Sequence, residues 1–355
     1  MSRFFSQTLS GLEPYTPGEQ PRGIQNLIKL NTNESPFPPS PRVIEAIGAQ
    51  QVRDLRLYSD PACTDFLAAL AEAFGVPREC VFASNGSDES LAFAFRAFCD
   101  KGAAFPDVTY GFYPVFAQLF GIRTRVVPLR EDWSLATEDY KGLAETLFLA
   151  NPNAPTGLAL SRAEIEALVT ENPERLVVVD EAYVDFGGES CVPLTQKYDN
   201  ILVVGTFSKS RSLAGARLGY AVGAPSLIAD LNAVKFSFNP YNVNRLTLAA
   251  GTAAVRDTAY FRECCGKIVE AREETKAALR AMGFAVTESR ANFLFAAPPA
   301  PRTGAEYFAY LRKNGILVRH FGAARTENYV RITIGTAGQM KTLVAVTKCF
   351  LEETT

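Results

Sequence analysis

The chain has 355 residues, 47% of them hydrophobic, and a formal net charge of −2. That length and apolar share support a large core and two domains, and the balanced charge argues against nucleic acid or an anionic membrane as a partner. Seven cysteines without CxxC spacing argue against a disulfide framework, and one histidine, His320, leaves little for a histidine metal site or a Ser-His triad.

In chain order, residues 1–40 carry Pro14, Pro17, Pro21, Pro36, Pro38 and Pro39 and read as an N-terminal arm. Met1–Gln7 has no signal-peptide core, and no apolar run reaches the length of a membrane span; the seven cysteines read as reduced, mostly structural thiols, so a cytoplasmic protein is expected. Residues 41–255 alternate short apolar runs with helical segments or turns. The expected strands are 80–83, 103–105, 125–127, 146–150, 176–179 and 201–204, and Ser161 with Glu164 signals a capped helix from Arg162. Such runs imply an α/β fold with a mostly parallel sheet flanked by helices. From 256 to 355 a long charged helix over 260–282 precedes strands at 284–286, 293–296, 316–319 and 329–334, the layout of a smaller α+β domain. His320 reads as a half-buried residue following one of these strands.

Four strand ends carry unusual chemistry, and in open α/β sheets ligands bind at carboxyl ends of strands. Ser84-Asn85-Gly86-Ser87-Asp88 opens a helix, either as an anion cradle of free N–H groups or as an ordinary cap on Ser87 or Asp88. Asn151-Pro152-Asn153-Ala154-Pro155-Thr156-Gly157 is a rigid loop or a simple turn. Asp180 ends an apolar strand, where an acid needs a cationic partner or a set of amides; Tyr183 follows as a donor or a core residue. Lys209 follows the strand 201–204, with Thr206 and Ser208 just before it and Arg217 eight residues on, so an amine nucleophile lies beside groups suited to a phosphate.

Together these segments, with Leu213-Ala214-Gly215-Ala216-Arg217-Leu218-Gly219-Tyr220, resemble the fold-type I pyridoxal phosphate aminotransferases. Leu30-Asn31-Thr32-Asn33-Glu34, Leu57-Tyr58-Ser59-Asp60-Pro61 and Val330-Arg331-Ile332-Thr333-Ile334-Gly335 are similar to the histidinol-phosphate aminotransferase branch. The resemblance implies an aminotransferase fold, pyridoxal 5'-phosphate as cofactor, a homodimer, and ping-pong transfer between glutamate/2-oxoglutarate and imidazole acetol phosphate/L-histidinol phosphate. It makes Lys209 the cofactor lysine, Asp180 the partner of the ring nitrogen, Tyr183 the contact of the ring oxygen, and Tyr110 the cover of the ring face. Ser87, Asp88, Thr206, Ser208 and Arg217 hold the phosphate, and Tyr58 reaches the partner subunit's phosphate. Arg331, with Tyr15, Asn33 and Arg319, receives the substrate's anionic end.

Two departures stand out. Many relatives have asparagine immediately before the second proline of the rigid loop; here that place is Ala154, leaving the ring-oxygen contact to Asn153 or to Tyr183 alone. The tyrosine loop, usually Arg-Tyr-Pro-Asp, reads Leu57-Tyr58-Ser59-Asp60. An aromatic amino acid aminotransferase and a pyridoxal phosphate lyase such as a threonine-phosphate decarboxylase remain open.

Overall fold

Residues 2–9, 11–21 and 26–353 are described, in a computed structural model of the chain. The chain starts with β1 (Ile28–Lys29), α1 (Pro41–Ala46), α2 (Ala49–Arg53) and α3 (Thr64–Phe74). It continues through β2 (Val81–Ser84), α4 (Ser87–Phe98), β3 (Ala103–Pro106), α5 (Phe112–Phe120), β4 (Thr124–Val127) and β5 (Thr146–Ala150). Next come α6 (Arg162–Glu171), β6 (Val177–Asp180), β7 (Ile201–Thr206), β8 (Gly219–Gly223), α7 (Pro225–Phe238) and α8 (Arg245–Arg256). The last stretch holds α9 (Thr258–Ala281), β9 (Ala285–Val286), β10 (Phe293–Ala297), α10 (Gly304–Lys313), β11 (Ile316–Leu317), β12 (Arg319–His320), β13 (Val330–Thr333) and α11 (Ala337–Glu352).

The large sheet has the order β2-β8-β7-β6-β5-β3-β4. Pairs among β3 to β7 are parallel, whereas β8 runs antiparallel to both β2 and β7. The two-residue period of a strand sorts its side chains to opposite faces. Val177, Val179, Ile201 and Val203 pack with residues of α3, α6 and α8, such as Phe66, Ile165 and Ala250. Val178, Leu202 and Val204 pack with residues of α4, α5 and α7, such as Phe95, Phe116 and Leu231. Both faces are covered, which is why these strands read as unbroken apolar runs. Edge strand β4 is exposed over Thr124–Val126, and Arg125 there pairs with Glu145 at 2.8 Å. Helix α6 starts in the expected reciprocal cap between Ser161 and Glu164.

Residues from α9 onward form an antiparallel sheet, β12-β13-β10-β9, whose core joins Phe293, Ile332, Leu311 and Leu343. The structure differs from the sequence reading at two places. The proline-rich residues 1–40 are not an arm throughout: Ile28–Lys29 form a short strand, β1, paired in parallel with β11, where Ile28 N donates to Gly315 O at 2.9 Å and Leu30 N to Leu317 O at 2.7 Å. That pairing answers the backbone's need for partners once Leu30, Asn31 and Asn33 are buried. Strand β8 escaped the reading because Gly219 and Gly223 weaken its apolar pattern.

Among the described residues, no helix is long and apolar enough to cross a membrane.

Candidate active site

Register brings the strand ends together. Ala150 pairs with Asp180, Asp180 with Val204, Thr206 with Gly219, and Gly219 with Ser84. The carboxyl ends of β2, β5, β6 and β7 therefore lie along one edge of the sheet. A cavity of about 390 Å³ opens there, lined by Tyr15, Ser87, Asp88, Tyr110, Asp180, Tyr183, Thr206, Ser208, Lys209 and Arg217. Four segments read separately in the sequence thus face one space.

The turn before α4 is shaped by close approach. Gly86 takes φ +76, and a Cβ on it would sit 2.6 Å from the Arg217 guanidinium. A Cβ on Gly219 would sit 2.4 Å from Ser87 N, so only glycine lets β8 start against this turn. Gly86 is the helix N-cap and no side chain caps the helix, so Ser87 and Asp88 are first-turn residues rather than caps. The positive end of α4 and its first N–H groups face the cavity. Arg217 Nη2 meets Asp88 Oδ2 at 3.0 Å. Ser208 N donates to Thr206 Oγ1 at 3.1 Å, and the Thr206 hydroxyl donates to Ser208 Oγ at 3.0 Å, which fixes both hydroxyls.

Asp180 is buried at the end of β6. Ala182 N donates to its Oδ1 at 3.1 Å and the Tyr113 hydroxyl to its Oδ2 at 3.3 Å. Burial pushes its acid up to about 7, with the Asp88 charge adding to the rise and Ala182, Tyr113 and Lys209 opposing it. Its neighbour Glu181 is likewise pushed to about 7, chiefly by burial, against N–H and hydroxyl donors from Cys191 and Ser190. Lys209 Nζ donates to Thr32 O at 3.2 Å and lies 5.9 Å from the centre of the Tyr183 ring. Asn33 Nδ2 donates to the Tyr183 hydroxyl oxygen at 2.9 Å, leaving the hydroxyl proton free to donate into the cavity. The Tyr110 hydroxyl donates to Asp88 Oδ1 at 2.6 Å; burial, then Asp88, raises its pKa well above the usual phenol value.

A second cavity of about 500 Å³ adjoins the first through Tyr15, Tyr110, Tyr183 and Lys209, and adds Asn33, Arg319 and Arg331. Arg331 Nη2 donates to Asn31 O at 3.1 Å, while its buried Nε lacks a partner. Burial lowers the Arg331 pKa, and the Phe293 and Phe321 rings flank the guanidinium. Arg319 donates to the carbonyls of Thr16 and Pro17, and Tyr15 stacks on Phe112 with 4.3 Å between centroids.

Of the expected site residues, Asn153 lies elsewhere, and Tyr58 is the one expected to serve the partner subunit and not these cavities. Asn153 lines neither cavity: its amide donates to Val108 O and Thr156 Oγ1 and accepts from Thr109 Oγ1, so its polar atoms are spent holding the loop, and Ala154 is the residue at the cavity wall. Tyr58 is 79% exposed, stacked on Tyr241 at 4.4 Å and outside both cavities. His320 lies within β12, half-buried, its Nε2 2.7 Å from Glu327 O.

Thr32, Glu34 and Tyr113 escaped the sequence reading as site residues. Thr32 and Glu34 line the first cavity; burial would raise the Glu34 carboxyl, but Lys29 and Thr32 outweigh it and the net shift is downward. The signal for both was their place in Leu30–Glu34. Tyr113 carried none, since an aromatic on an amphipathic helix reads as core.

The family model for class I and II aminotransferases matches residues 25–346. A histidinol-phosphate aminotransferase of Acinetobacter baylyi is 48% identical over 354 residues, 98% of each chain. One of Brachyspira hyodysenteriae is 45% identical over 355 residues, covering 99% of this chain and 100% of its own. Among solved structures, histidinol-phosphate aminotransferase from Sinorhizobium meliloti in complex with pyridoxal-5'-phosphate superposes with a TM-score of 0.87 at 25% identity over 99% of both chains.

Proposed function

The chain belongs to the class I and II aminotransferases, and from that premise we propose that it moves an amino group between glutamate and imidazole acetol phosphate, giving 2-oxoglutarate and L-histidinol phosphate. The near-full-length kinship to enzymes of that name carries the reading. Pyridoxal 5'-phosphate is the proposed cofactor and a homodimer the proposed assembly. The residues fit this cofactor: a helix start with free N–H groups suits its phosphate, and a buried acid pushed to about 7 needs a cation such as a protonated ring nitrogen.

When bound, the cofactor supplies an electron sink for the pair released at the substrate α-carbon. Asp180 would keep the proton on the ring nitrogen. Tyr183, oriented by Asn33, would donate to the ring oxygen. Tyr110 would cover the ring face. The N–H groups of Ser87 and Asp88, the hydroxyls of Thr206 and Ser208 and the Arg217 guanidinium would hold the phosphate. Lys209 would hold the cofactor through its amine and, once freed by substrate, would serve as the base that takes the α-carbon proton. Arg331, with a buried donor still unpaired, takes the substrate's anionic end through its planar fork, helped by Tyr15, Asn33 and Arg319. Tyr58 reaches the partner subunit's phosphate, which accounts for an exposed aromatic loop residue.

A half-reaction screen tests the substrate. Enzyme in the pyridoxal form is mixed with histidinol phosphate, phenylalanine, tyrosine or phosphothreonine while the cofactor spectrum is followed. Rapid conversion with histidinol phosphate is expected; conversion with the aromatic amino acids alone would sink the assignment.

A further inference from the structure

The Tyr113 side chain is wholly buried on α5, among the rings of Phe95, Phe105 and Phe148 at centroid distances of 6.1, 5.8 and 5.8 Å, with Tyr110 edge-on at 5.7 Å. Phenylalanine would satisfy every one of those contacts. The hydroxyl is the part that packing does not explain, and a buried hydroxyl is costly unless bonded. Its hydrogen bond runs to Asp180 Oδ2 at 3.3 Å. Oδ1 of the same carboxylate is held by Ala182 N, a donor from its own turn. One donor comes from the strand end and the other from a helix packed across the sheet face, so together they fix the carboxylate plane.

We propose that Tyr113 is a positioning residue that acts through Asp180, holding its carboxylate toward the ring nitrogen and supplying the second donor an anion needs at that depth. This rests on the proposed cofactor. The groups facing Asp180 make the need specific. Asp88 on α4 is a like charge, although Tyr110 and Arg217 tie it down. Tyr110 itself and Tyr220 on β8 lie near the acid but make no hydrogen bond to it. Lys209 is the cation that opposes burial, and its amine is the group the cofactor engages. Once Lys209 is engaged, Tyr113 and Ala182 remain as the donors favouring ionised Asp180. Losing one moves the acid further up, so the pH range in which it can hold a protonated ring nitrogen starts higher.

The test is Tyr113→Phe in the full-length protein, reading the dissociation constant for pyridoxal phosphate across the acid and neutral range. The expected result is a constant raised about three- to tenfold at neutral pH, the worth of one hydrogen bond, with the acid limb of binding moved to higher pH. In an Asp180→Ala background the same substitution should add no further loss. Placing 3-fluorotyrosine at 113, a stronger donor with the same shape, should move the limb the opposite way, and it covers the case in which Tyr113→Phe is not recovered folded. Wild-type protein that binds no pyridoxal phosphate would overturn the proposed function itself. Wild type that binds while Tyr113→Phe keeps an unchanged acid limb, or loses as much affinity without Asp180 as with it, would overturn the role of Tyr113 alone.

Discussion

The two adjoining cavities are built in different ways. The first is made by successive strand ends of one sheet: Ser87 and Asp88 after β2, Asp180 and Tyr183 after β6, Thr206 to Lys209 at β7, Arg217 before β8. Each group sits within four residues of a strand whose neighbours set its height. The second is assembled from chain segments about 300 residues apart: Arg331 reaches Asn31, Arg319 reaches Thr16, and Asn33 N donates to Thr333 Oγ1. The sheet edge suits a group that stays, and the chamber between segments suits one that comes and goes.

That contrast can be broken by substitutions that separate holding the cofactor from holding the substrate. Lys209→Ala should lower turnover most, by about a hundred- to ten-thousandfold for the loss of a positioned proton carrier, and should remove the visible absorbance band of the lysine-linked cofactor. Retained absorbance with full turnover would mean another residue does this work. Asp180→Ala comes next, costing about 2–5 kcal/mol of cofactor affinity for one truncated partner of a buried charge pair, measured by equilibrium titration. Arg331→Lys should act on the other chamber only. Loss of the planar fork is expected to cost about 1.5–3 kcal/mol in kcat/KM for the anionic substrate, with cofactor affinity unchanged; weakened cofactor binding would erase the division drawn here.

Smaller effects sharpen it. In the cofactor-free protein, Asp180 and Glu181 have values raised from 3.8 and 4.5 to about 7. A raised folded value means the unfolded chain releases its protons first, so stability falls as pH climbs from roughly 4 to 7 and then levels. In the cofactor-free protein, replacing both acids (Asp180→Asn, Glu181→Gln) should remove this part of the decline in thermal midpoint across that range; identical slopes in wild type and variant would contradict the burial of these acids. Tyr15→Leu, which removes the stack on Phe112, should cost about 0.5–1.5 kcal/mol, seen as a raised KM with kcat nearly intact.

The sequence disclosed the first cavity better than the second, for a physical reason. A polar residue closing an apolar strand is a local anomaly, so Asp180 and Lys209 announce themselves within a few positions. A cradle at Ser87 needs Gly86 beside it, and that too is local. Arg331 was reached through its motif, but its buried, unpaired Nε depends on β1 lying against the small sheet, which no stretch of sequence discloses. Strand β8 was lost because Gly219, required by the turn at Gly86, and Gly223 dilute the pattern that marks a strand. The sequence left the ring-oxygen contact to Asn153 or to Tyr183 alone; the Asn153 amide serves Val108 and Thr109, while Tyr183 lines the cavity.

The pairing of Ile28–Lys29 with Ile316–Leu317 has a bearing on how the molecule is made. A nascent chain leaves the ribosome with β1 waiting for a partner made about 290 residues later. The sheet edge around Lys209 can close well before then, because its strands are all in place by Gly223. The chamber at Arg331 closes only when segments about 300 residues apart meet, a contact of long sequence separation and slow formation. A chain stalled just before Ile316 would therefore carry every strand of the Lys209 edge while lacking Arg319 and Arg331 of the adjoining chamber.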